Sequence, residues 1–153
     1  MAKSGRIDRD ALIAAARTAA EFAYAPYSGF RVGAAVVVQT SEGPRIVTGA
    51  NIENASFGLT LCAERNALAA ALMREDATLV PDARPAARRP RITHVAIACI
   101  DVDDDAPAWK RSPCGACRQW LAELAPDAVY YVDGIPDDLH LADLLPYAFR
   151  LEE

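Results

Sequence analysis

Two cysteines three residues apart stand directly after a proline in Pro113-Cys114-Gly115-Ala116-Cys117. No other feature narrows the structure so much. Proline is favoured at the first helical position, so the run predicts a helix starting at Pro113 with both sulfurs on one face. A helix start stabilises the thiolate, the form that binds metal. Cys-x-x-Cys alone fits either a zinc site or a thioredoxin-like dithiol. The dithiol reading wants the pair just after the first strand, and here it follows the third predicted strand. Cys62 opens another predicted helix and offers a third sulfur. Three protein ligands with the fourth missing describe a catalytic zinc whose open position takes water. The fourth cysteine, Cys99, lies in an apolar run over 95–100 and reads as a small buried hydrophobe.

The rest of the chain alternates around these helices. Leu12, Ala16, Ala19, Ala20 and Ala23 recur at helical spacing, predicting a helix over 8–24 that Pro26 stops. A Val-rich strand over 30–38 turns at Ser41-Glu42-Gly43-Pro44 into a second strand over 45–48. Residues 49–60 are irregular, and 61–73 form an Ala-rich helix. A proline-containing, locally basic loop over 76–90, Arg84 and Arg88 included, reads as solvated. A strand over 91–100, an acidic loop over 101–112, a helix over 113–124 and a strand over 129–132 follow. Residues 139–145 suit a short strand or a short helix equally.

This order predicts a three-layer α/β/α domain with a mixed β-sheet, the hairpin antiparallel and strands joined across helices parallel. At 153 residues, the expectation is one domain spanning 1–153. No apolar run approaches the ~20 residues that span a bilayer. The charged first ten residues carry no apolar core of a secretory signal, so a cytoplasmic location is expected. A net charge of −5 argues against a nucleic-acid partner, whose phosphates call for a basic face, and favours a small molecule.

Glu64, two residues past Cys62, is placed to reach the open zinc position and take a proton from water. Three cysteine ligands with such a glutamate as general acid and base match the arrangement of zinc deaminases. Four blocks of the chain resemble the small cytidine deaminases. They are Ala23 to Ala35 (AYAPYSGFRVGAA), Asn51 to Arg65 (NIENASFGLTLCAER), Pro113 to Gln119 (PCGACRQ) and Leu144 to Phe149 (LLPYAF). The resemblance implies a cytidine deaminase-like fold and hydrolysis of cytidine and deoxycytidine to uridine and deoxyuridine with loss of ammonia. It also implies one zinc on Cys62, Cys114 and Cys117, attack of an activated water on C4, and Glu64 as proton shuttle. Phe30 would pack on the pyrimidine, Asn51 and Glu53 would hold ribose hydroxyls, and backbone at Ala63 would bind the base. Phe149 would enter a neighbour's site in a homotetramer. Arg65 would offset the net charge of three thiolates on Zn²⁺. Phe57 stands where the family usually has tyrosine, and residues 103–111 could border the site mouth. Competing readings are a deaminase of a modified nucleoside such as blasticidin S, a non-catalytic zinc module and a nucleic-acid editor. The Asn51-Ile52-Glu53-Asn54 stretch speaks against the first, and the charge together with Glu53 against the last.

Overall fold

A computed structural model describes residues 7–81 and 88–151. Arg84 and its neighbours in the basic loop lie outside the described residues. Helix α1 (Arg9–Ala20) is followed by β1 (Val32–Thr40), β2 (Gly43–Ala50), α2 (Ala63–Leu72) and β3 (Ile92–Cys99). The short helix α3 (Ala108–Arg111), α4 (Gly115–Leu124), β4 (Val129–Val132) and α5 (Leu141–Leu144) complete the order. The sheet runs β2-β1-β3-β4. β1 is antiparallel to both neighbours, and β3 is parallel to β4, so the sheet is mixed as expected. The two strands joined across α2 are not neighbours, because β1 lies between β2 and β3.

Strand periodicity sorts β1 onto two faces. Ala34, Val36 and Val38 join Ala63, Ala67, Leu68 and Leu121 in one core, on the side of α2 and α4. Ala35 and Val37 join Leu12 and Ala16 of α1 in the other. The result is three layers. Two glycines let the helices approach the sheet. A Cβ on Gly33 would lie 1.9 Å from the Ala16 carbonyl, and one on Gly49 would lie 2.5 Å from the Ala67 nitrogen. Gly49 therefore sets how closely α2 packs on β2 and where its first turn falls.

Several predicted boundaries move, each for a local reason. Asp8 caps α1 by accepting from the Asp10 and Ala11 amides. The helix ends at Ala20 and not Tyr24, because the Tyr24 backbone pairs with the segment at 51–53 across Asn51 and Glu53. α4 begins at Gly115 and not Pro113, since Cys114 is held extended as its N-cap. The acidic loop contains a turn of helix, α3. Among the described residues there is no fifth strand: Leu139 makes a single bridge to Tyr130, and α5 follows. In the loop read as solvated, Arg88 donates to the carbonyls of Leu72 and Arg74 and so covers groups left open at the end of α2.

Candidate metal centre and active site

Cys62 and Cys114 are the N-cap residues of α2 and α4, with ψ of 154° and 164°. Neither side chain caps the backbone of its own helix, which leaves both sulfurs free to turn toward a common point. Cys117 lies one turn into α4. The three sulfurs are within 4.8 Å of one another, with Cys62 and Cys114 at 3.9 Å and Cys114 and Cys117 at 3.5 Å. Tetrahedral zinc with Zn–S bonds of ~2.3 Å requires sulfurs ~3.8 Å apart. The trio fits that ion, and a lone dithiol would need no third sulfur. Cys99 stands outside the trio, buried, with its thiol donating to the Arg111 carbonyl and pushed up to about 12 by burial.

Charge at the site is arranged for a thiolate. The Cys62 thiol is pulled down to about 5, first by a hydrogen bond with Cys117 and then, against its burial, by Arg65. The same contact and burial push Cys117 up. Arg65 reaches the Cys62 sulfur at 3.5 Å and the Thr60 carbonyl at 2.9 Å. Glu64, in the first turn of α2, is only 3% exposed. Burial, and secondarily the Cys62 charge, push its carboxyl up.

These groups open onto a cavity of about 400 Å³, within the range of small-molecule sites. Cys62, Ala63, Glu64 and Cys114 line it together with Phe30, Asn51 and Glu53. Every predicted site residue except Cys117, Arg65 and Phe149 thus belongs to one wall. Cys117 is fully buried beneath it, and Arg65 acts from behind Cys62. Phe149 is 70% exposed and outside the wall, its carbonyl accepting from Gln119. Phe57 is also outside it, edge-on to Tyr27. A wider hollow of about 530 Å³ lies against α1, but its arginines are already paired, Arg17 with Asp133 and Arg9 with Asp138.

The side chains expected at the sugar also serve the protein. The Asn51 amide accepts from Val32 N at 2.8 Å and donates to the Phe30 carbonyl at 2.9 Å. Glu53 accepts from the Tyr27 and Ser28 amides at 2.8 and 3.2 Å and from the Ser28 hydroxyl. These bonds, the hydroxyl's first among them, hold its carboxyl below the usual range. The remaining wall includes Cys99, Lys110, Arg111 and Ser112, so the 103–111 segment does border the cavity, through Lys110 and Arg111. Sequence reasoning missed Arg111. Its buried guanidinium donates to the carbonyls of Ala106, Asp133 and Asp103 and leaves no room for a Cβ on Gly134. Contacts to backbone carbonyls leave no residue-type signal in a sequence.

A metal cradle of three thiols at two helix starts, beside a buried carboxylate, defines a zinc-dependent deaminase. The profile of the cytidine and deoxycytidylate deaminase zinc-binding region matches residues 7–133. The chain is 41% identical over 151 residues to a cytidine deaminase of Halalkalibacterium halodurans, covering 96% of this chain and 98% of the relative. It is 37% identical over 147 residues to a cytidine deaminase of Mycobacterium tuberculosis, covering 96% and 93%. The crystal structure of cytidine deaminase from Burkholderia pseudomallei matches with a TM-score of 0.71 and 39% identity, covering 94% of this chain and all of that one. The chain belongs to the cytidine and deoxycytidylate deaminase family. The blasticidin alternative finds no support among these relatives.

Proposed function

We propose that this protein hydrolyses the amino group of cytidine and deoxycytidine, giving uridine or deoxyuridine and ammonia. The observation that carries this reading is Glu64, buried in the cavity wall two residues from Cys62. Cys62, Cys114 and Cys117 would hold zinc, which supplies a Lewis acid that brings the acidity of water toward neutrality. Glu64 takes the proton of the attacking water and delivers it to N3 of the pyrimidine. It then carries a proton to the departing amine. One carboxylate serves as base and then acid, and burial pushes its carboxyl up, toward the protonated form it needs as acid. Phe30 packs on the pyrimidine, Asn51 and Glu53 hold the sugar, and backbone at Ala63 orients the base. Arg65, donating to the Cys62 sulfur, offsets thiolate charge.

On this reading the enzyme is one domain over 1–153 and works in the cytoplasm, in pyrimidine salvage, as a homotetramer. Exposed Phe149 then completes a neighbour's site, which accords with its lying outside its own cavity wall. No helix among the described residues is long and apolar enough to cross a membrane. Ammonia release from cytidine, deoxycytidine, cytosine and blasticidin S tests the activity. Turnover of the first two is expected. Release from blasticidin S alone, or from none, would overturn it.

A further inference from the structure

Ser28 stands between the two groups that read the two halves of the substrate. Its hydroxyl donates to the Glu53 carboxylate and accepts from the Phe30 amide at 3.0 Å. The polarity is forced, because an ionised carboxylate only accepts and an amide only donates, while a hydroxyl does both. Gly29, between them, has φ +65°, a left-handed conformation that closes the turn tightly enough for Ser28 to reach the Phe30 amide. On the far side the Asn51 amide grips the Phe30 carbonyl and the Val32 nitrogen. The Phe30 backbone is thus suspended between the two residues that face the sugar, with Ser28 as the link to the charged one. All four side chains line the cavity.

We infer that Ser28 is a positioning residue that couples the Glu53 carboxylate to the Phe30 ring, so that engaging the sugar fixes the wall against which the base packs. This rests on the nucleoside reading above and deepens it. A nucleoside fixes Glu53, Glu53 fixes the Ser28 hydroxyl, and the hydroxyl fixes the Phe30 amide. A free base lacks the first link. Remote binding energy is then used to place the reacting atom.

The test uses the full-length zinc-loaded enzyme and the variants Ser28→Ala, Ser28→Thr, Glu53→Gln and the double Ser28→Ala/Glu53→Gln. Two readouts are taken: kcat/KM for cytidine, and the calorimetric preference for uridine over uracil. A hydrogen bond to a charged group predicts that Ser28→Ala lowers both about tenfold or more. Ser28→Thr, which keeps the hydroxyl, is expected to stay within about threefold of the parent. Residues in one network are non-additive, so the double variant is expected to fall no more than about twofold below Glu53→Gln alone. General loosening of the fold would weaken uridine and uracil alike and leave the preference unchanged. A preference within about twofold of the parent in Ser28→Ala, or full additivity in the double variant, would overturn the coupling. The failures separate. A parent that releases no ammonia from cytidine strikes the proposed activity and this coupling with it. An active parent with an unchanged Ser28→Ala strikes the coupling alone.

Discussion

At the scale of single residues, the metal ligands and the proton carrier make distinct predictions. Alanine at Cys62, Cys114 or Cys117 is expected to abolish stoichiometric zinc, whereas Cys99→Ala, outside the sulfur trio, should retain it. Metal analysis of purified variants checks this, and equal loss from Cys99→Ala would contradict the ligand assignment. Glu64→Gln is nearly isosteric and cannot move a proton. It should keep zinc and fold while turnover drops by ~10²–10⁴-fold or more, measured as ammonia release from cytidine. The metal cradle was legible in the sequence because zinc demands particular residue types, and two of the three sit in one helical turn. The internal bonds of Asn51 and Glu53 were not legible. Their partners are backbone groups at Tyr27, Ser28, Phe30 and Val32, which no residue identity announces, and one serine hydroxyl, that of Ser28, distant in the sequence.

At the scale of elements, the helix–sheet contacts at Gly33 and Gly49 separate stability from chemistry. Added methyl groups there meet backbone, which cannot swing aside as a side chain can. Gly33→Ala and Gly49→Ala should each cost roughly 1–3 kcal/mol or more in urea unfolding. Gly49→Ala should also weaken zinc binding, because α2 carries Cys62 at its cap, while a folded Gly33→Ala should bind zinc normally. Beyond β1, Arg31 chelates Asp101 and holds its carboxyl below the usual range, chiefly through their hydrogen bond. A carboxyl depressed in the folded state contributes stability above its unfolded pKa of ~3.9, and that contribution fades as pH falls toward the folded value. Asp101→Asn should therefore destabilise at pH 7, and the difference from the parent should shrink below about pH 4. Denaturant titrations at both pH values decide this. Element order and sheet type could be read from periodicity and turn residues. The early end of α1 and the start of α4 could not, since a long-range backbone pairing sets one and an extended cysteine the other.

At the scale of the whole molecule, the outer surface carries apolar side chains that a solitary chain leaves in water, among them Phe57, Leu59 and Phe149. Closed symmetric assembly is the usual way to cover such groups. Light scattering should give four times the 16.4 kDa chain mass, and a fully active single-chain particle would refute the tetramer. The position of the ligands along the chain has a further consequence, for synthesis. Cys62 meets Cys114 across 52 residues, and Cys117 three further on, with β3 and the acidic segment between them. A ribosome must therefore translate through Cys117 before all three sulfurs exist to be gathered. Whatever part of the β1–β2 hairpin and α1 forms before that point forms without the complete ligand set. An ion held by the three sulfurs would close that long span like a late-fastened clasp. Chelators acting on the nascent protein should thus block the last folding step and spare the earlier ones.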